Sequence, residues 1–148
     1  MTTRTLLRVA SFAATVLCAP VLGAQEALPF RVVVNAANPV SSLSRDDLSR
    51  LFLKRVVTWD GQRPVVLVEQ PEASKIRQDF AAAVHRKDAA WVRSYWQTMI
   101  FAGRAVPPAE RASDADVMVF VSGNRNAIGY VSAAAPLGGG LKVITIDR

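Results

Sequence analysis

Apolar positions along this chain alternate between two rhythms. Phe30 to Val34 and Val65 to Val68 are short β-branched runs with little polar interruption, the pattern of strands buried on both faces. Between them, Asn38-Pro39-Val40-Ser41-Ser42 reads as a loop. Ser44 with Asp46 and Asp47 reads as a helix start, and Leu48, Leu51 and Phe52 share the inward face that follows. Val56-Val57 and a turn, Thr58 to Gly61, lead to the second strand. A Pro-containing turn, Glu69 to Pro71, closes that strand. Ala73, Ile76, Phe80, Ala83 and Val84 then fall near the i, i+3, i+4, i+7 spacing of a one-sided helix, with Phe80 toward the sheet. His85-Arg86-Lys87 ends it with cations at the negative pole.

The second half continues the alternation. Asp88 caps a helix carrying Trp91, Val92, Tyr95, Trp96, Met99 and Ile100, a distribution that predicts burial on more than one side. Gly103 stops it and Pro107-Pro108 forms an extended link. Ser113, Asp114 and Asp116 open a fourth helix through Val117, Phe120 and Val121. Ala127 to Val131 and Leu141 to Ile146 are the last strands, joined by a loop with Gly138-Gly139-Gly140. Alternating strands and helices finished by two strands predict an α/β domain, a mixed sheet with helices on its faces. At 148 residues and 51% hydrophobic composition, one such domain with a real core is expected.

Residues 1–24 stand apart. Arg4 and Arg8 precede the apolar run Val9–Leu22, and Val21, Gly23 and Ala24 offer small cleavage positions. The run is shorter than the roughly 20 residues of a membrane span, so a secretory signal is expected over 1–24, with a domain at 25–148 in the periplasm and no membrane insertion after cleavage. Val16-Leu17 before Cys18 is too bulky for a lipoprotein signal. Losing Cys18 leaves no cysteine for disulfides or thiolate chemistry. The formal charge of +6 falls by two when Arg4 and Arg8 leave, and the remaining basic residues are scattered without interleaved aromatics. Nucleic acid is not expected as a partner.

Catalytic constellations are thin. His85, the one histidine, sits in a cationic helix end and reads as a solvated dipole partner. The sequence carries no nucleophile elbow, zincin motif or phosphate loop, and no metal-ligand cluster. The pairs Asp46-Asp47 and Asp114/Asp116 are explained by helix capping. Trp91, Tyr95 and Trp96 suit a core better than a sugar-stacking platform. The expectation is no enzyme, no metal and no cofactor.

The candidate site is the strand–helix corner after Val68. Free N–H groups and a positive dipole end there can hold an anion, and Ser74, Lys75 and Arg77 are the ligand-binding candidates. Glu69 and Glu72 argue the other way, as ordinary acidic partners of a helix start.

At this point the chain resembles the phosphate ABC transporter substrate-binding protein family. The likeness is carried by Val32-Val33-Val34-Asn35, by Leu43 to Leu53 with Lys54-Arg55 and Thr58-Trp59, and by Asn126-Ala-Ile-Gly-Tyr-Val131. In that family a hinge strand leads to a helix reading Ile-Phe-Leu-Gly-Lys, then a Trp-Asn/Asp turn, and later a Gly-Ala-Ile-Gly-Tyr-Val strand. The resemblance spans roughly Val32 to Val131. It implies a type II periplasmic-binding-protein-like (PBP-like) lobe from a family that binds inorganic phosphate between two lobes. The chain has length for about one lobe, with phosphate or another small oxyanion such a lobe's expected ligand class. The family's phosphate stretch, Arg-Ser-Asp-Gly-Ser-Gly-Thr, here reads Gln70-Pro-Glu-Ala-Ser-Lys-Ile76. Ser74 alone matches a binding position. Gln70 replaces the arginine, Ala73 and Lys75 replace glycines, and Lys54 replaces the glycine of Leu-Gly-Lys.

Two functions follow from these readings. The first is weak binding of phosphate at Ser74, Lys75 and Arg77. Three charge-assisted hydrogen bonds of about 1.5–3 kcal/mol each, less an association cost of about 4 kcal/mol or more, give roughly millimolar affinity. The second is an accessory module of the envelope that binds a protein partner rather than a small ligand.

Overall fold

The computed structural model describes residues 27–147; the signal-peptide expectation for 1–24 falls outside them. A five-stranded sheet runs in the order β4-β3-β5-β1-β6, with β5 at its centre and β1 (Phe30–Asn35) beside it. β3 (Val66–Glu69) runs parallel to β5 (Ala127–Ser132) and to the short β4 (Ala109–Glu110). β1 is antiparallel to β5, with Val33 opposite Gly129, and to β6 (Leu141–Val143). The sheet is therefore mixed, as the sequence predicts.

Strand parity divides the core in two. Val32, Val34, Leu67, Ile128 and Tyr130 point to one face, where α1 (Arg45–Phe52) and α2 (Lys75–Phe80) bring Leu48, Phe52 and Phe80. Val33, Val68, Ala127 and Val131 point to the other, against Val117 and Val121 of α4 (Asp114–Ser122). Both faces are covered, so uninterrupted β-branched runs are favoured over alternating ones. Phe80 stacks on Tyr130 at 4.1 Å and meets Phe52 at 4.8 Å and Phe30 at 5.3 Å. It is the aromatic hub of the first core.

Capping follows local chemistry. The Ser44 hydroxyl accepts from Asp47 N at 3.0 Å, Asp88 Oδ1 from Trp91 N at 2.8 Å, and Ser113 Oγ from Asp116 N at 3.2 Å. Lys54 closes α1 in the left-handed region, φ 51. The glycine-like conformation that the resemblance implies there is kept without the glycine.

The structure corrects several expectations. Ser42 lies not in the loop but in a short strand, β2 (Ser42–Ser44), which pairs in parallel with β7 (Thr145–Asp147) in a separate two-stranded sheet. The final apolar run is thus two strands, because Ile144 turns inward and divides β6 from β7. The helix from Lys75 does not stay regular: after Phe80 it widens into a π turn, Ala81–His85, ended by Arg86 at φ 54. The helix α3 (Ala89–Phe101) buries one side only, through Val92 and Trp96. Its far end leaves Ile100 and Phe101 in solvent, Phe101 at 89% exposure. Among the described residues no layer lies beyond that end, so a second face has nothing to be buried against.

Candidate functional site

The corner is built where β3 ends and α2 begins, with the start of α4 and the end of β5 beside it. Glu69 is the last residue of β3. By strand parity it points to the same face as Leu67, and Gln70 to the opposite one. Ser74 N donates to Pro71 O at 2.8 Å and closes the turn. Ser74 occupies the cap position of α2 in an extended conformation, yet its side chain caps nothing. Its hydroxyl donates instead to Gln70 Oε1 at 2.7 Å.

Gln70 passes this bond onward. Its side-chain amide donates to Asp114 Oδ1 at 2.5 Å, and Asp114 also accepts from Ser132 N at 3.0 Å and from the Ser132 hydroxyl. Asp114 is therefore more than a first-turn acid. Its carboxylate takes the donors that converge between β5 and the corner.

Arg77 turns inward, away from solvent. Its guanidinium donates to Gln70 O at 2.9 Å and to Glu110 Oε1 at 2.6 Å, and stands 3.1 Å from Glu69 Oε2. Glu69 is 2% exposed. Burial pushes its carboxyl up to about 7; Arg77 opposes this and Glu110 adds to it. Burial works against the Arg77 charge, but Glu69 and Glu110 outweigh it and raise its pKa further. The Tyr130 hydroxyl beneath is raised well above its ordinary value, by burial first and by Glu69 second. Lys75 points outward, its side chain 77% exposed, and pairs with Asp79 one turn along.

Ser74, Lys75 and Arg77 thus share a corner without converging on one point. The hydroxyl proton of Ser74 goes to Gln70, the Arg77 charge to Glu69 and Glu110, and Lys75 to the helix surface. Neither corner acid is a first-turn helix partner: α2 has no acid in its first turn, and Glu72 pairs with Arg93 of α3 at 2.9 Å. His85 is not solvated either. Its Nδ1 lies 2.8 Å from Ser49 Oγ, and burial, reinforced by Arg55 and Arg77, lowers its pKa to about 4. Trp91 and Tyr95 stack at 5.5 Å on the half-buried flank of α3, under Lys87 and Arg55. Among the described residues no group of His, Cys, Asp and Glu could hold a metal ion, and no helix is long and apolar enough to cross a membrane.

The sequence pointed to the cations of this corner and to Glu69, and missed Glu110 and Asp114 as partners of its donors. Asp114 was hidden by its position in a capping motif, and Glu110 lies just past the Pro107-Pro108 link in a stretch with no pattern of its own. Glu69 alone left a signal, an acid directly on the end of a buried β-branched run.

No protein-family model and no curated protein matches the chain. Solved structures do. The chain is similar to a phosphate ABC transporter substrate-binding protein with bound phosphate from Clostridium perfringens, at 20% identity and a TM-score of 0.64, over 80% of this chain and 45% of that one. An ABC-type phosphate transport receptor from Vibrio cholerae gives 19% identity and 0.64, over 81% and 46%. A possible phosphate-binding protein from Planctomyces limnophilus gives 20% and 0.63, over 81% and 42%. The fold is accordingly that of a single PBP-like lobe, an α/β domain with a mixed sheet. The chain spans less than half the length of these structures, all of which are described as binding proteins or receptors rather than enzymes.

Proposed function

We propose that this chain is an exported, periplasmic PBP-like lobe that works as an accessory, protein-interaction module of the cell envelope rather than as a phosphate scavenger. One observation carries the reading: the donors and the inward cation of the corner are answered by the chain's own carboxylates. Asp114 takes Ser132 and Gln70, and Glu69 and Glu110 take Arg77. An incoming phosphate would have to displace these groups and sit beside uncompensated negative charge, against about 4 kcal/mol or more of association cost. The exposed apolar end of α3, Ile100 and Phe101, supports a protein partner.

A second reading keeps weak phosphate binding at Ser74, Lys75 and Arg77. It is supported by the exposure of Lys75 beside the helix start and by the phosphate carried by the Clostridium perfringens structure. Calorimetry and melting curves with phosphate, extended to tens of millimolar, separate the two. The interaction reading expects a flat titration. It also expects stoichiometric capture of a protein from a periplasmic extract, lost in Phe101→Asp. Saturable heat that disappears in Ser74→Ala, with a phosphate-dependent rise in Tm abolished by Lys75→Glu, would replace it with the second.

A further inference from the structure

Glu69 ends a buried strand with a carboxylate whose Oε2 receives no hydrogen bond. Arg77 Nη2 is near enough for an ion pair, at 3.1 Å, while Nη1 donates to Gln70 O and to Glu110 Oε1. One guanidinium therefore stands between two carboxylates, one buried on β3 and one half in solvent on β4. Beside Glu69 a cavity of about 10 Å³ opens, lined also by Glu72, Arg77, His85 and Arg93. It has room for about one water. A buried carboxylate with incomplete compensation is relieved most directly by a proton.

We propose that Glu69 is a proton-binding site that controls how Arg77 is divided between β3 and β4. With Glu69 protonated, Arg77 is committed to Glu110 and clamps the edge strand β4 to the corner. With Glu69 ionised, Arg77 is drawn toward β3 and its hold on Glu110 weakens. The strand that feels this is short: β4 is Ala109–Glu110, continued by the Arg111 amide, which donates to Glu69 O at 2.9 Å. Through β4 the proton reaches the whole segment from α3 to α4, including Val106, which is 64% exposed.

The neighbours leave Glu69 as the group that changes charge near neutrality. Burial pushes it up to about 7, with Arg77 and Lys54 opposing and Glu110 assisting. His85, lowered to about 4, is neutral there, and Tyr130, raised, stays protonated. Glu72 and Arg93 neutralise one another across the cavity mouth.

The test is a carboxyl-carbon NMR titration of Glu69 run with amide exchange at Arg111, corrected for the intrinsic effect of pH. Glu69 should titrate near pH 7, two to three units above an ordinary glutamate, and Arg111 protection should fall with the same midpoint as pH rises. Glu69→Gln should hold protection high at every pH. Glu110→Gln, at an exposed site that tolerates change, should lower the Glu69 midpoint and flatten the exchange response even if Glu69→Gln fails to fold. A Glu69 midpoint in the ordinary carboxylate range overturns the proposal, as does Arg111 protection that ignores that midpoint. A pH response surviving in Glu69→Gln would assign it elsewhere.

Discussion

Gly129 sits on β5 against β3 and α4, and Gly129→Ala tests the packing of the second core. A Cβ there would lie 2.7 Å from Val68 Cγ1, 2.9 Å from Val117 Cγ1 and 3.3 Å from Val68 O. Both valines are fully buried, and β-branched side chains have little freedom to rotate aside. The backbone itself would accept alanine, since Gly129 is not among the residues at positive φ. The conflict is one of space alone. Overpacking of this kind costs about 1–3 kcal/mol, while loss of glycine freedom in the unfolded chain returns about 0.4–1 kcal/mol. With two contacts below 3 Å the net should lie near 2 kcal/mol of destabilisation, a fall in Tm of roughly 5–10 °C for a domain of this size. Urea denaturation should show a lower midpoint at unchanged slope. Val68→Ala removes the nearer methyl group, so the double variant should recover about 1 kcal/mol relative to additivity. A Gly129→Ala protein melting at or above the wild-type temperature would refute the register of β5 against α4.

Phe80→Ala should cost about 3–5 kcal/mol, because it empties the hub on which Tyr130, Phe52 and Phe30 converge; a loss below about 1 kcal/mol in chemical denaturation would disprove that hub. Lys54→Gly should stabilise by about 0.5 kcal/mol, since a left-handed non-glycine residue costs about 1–2 kcal/mol and glycine gives back about 0.5–1; clear destabilisation would mean that the Lys54 Nζ bond to Pro107 O matters more than the backbone. The two buried titratable groups should tilt stability in opposite directions with pH. Glu69, raised from 4.5 to about 7, contributes stability that is full below 4.5 and lost as pH rises through 7, whereas His85, lowered from 6.5 to about 4, contributes stability that is full above 6.5 and lost as pH falls through 4. Each is worth at most about 3 kcal/mol, so denaturation between pH 4.5 and 6.5 should be flat for these groups in the wild type and should slope toward acid loss in Glu69→Gln; an equal slope in both proteins would contradict the pairing.

Much of the fold was legible because it rests on local rules. Ser44, Asp88 and Ser113 each take the capping bond that their spacing predicts, and the runs at Phe30, Val66 and Ala127 become the inner strands because only residues apolar on both faces fit between two helix layers. The failures lie where geometry overrides pattern. β2 and β4 are three and two residues long and owe their extended form to a neighbour's free edge, which no window of sequence contains. The apolar girth of α3 suggested a buried helix, but nothing in composition shows that, among the described residues, no further layer covers Phe101. The π turn at Ala81–His85 falls in an alanine-rich stretch whose periodicity is compatible with an ordinary helix.

The corner shows why charge is harder to read than burial. Ser74, Lys75 and Arg77 lie within one turn of each other in sequence, so their proximity was visible; where their charges go was not. Arg77 pairs with Glu110, thirty-three positions away, and the Gln70 amide donates to Asp114, forty-four positions away. Those partners arrive only because β4 and α4 return alongside β3. A corner rich in donors is an anion site only if the returning segments leave the donors unanswered. Here they bring carboxylates, and the same strand–helix geometry that can cradle an external oxyanion is closed by internal ones. The contrast between Lys75, still facing solvent, and Arg77, held on three sides, is therefore the sharpest guide to what the lobe retains. Any anion affinity left in this corner must reside at its exposed rim.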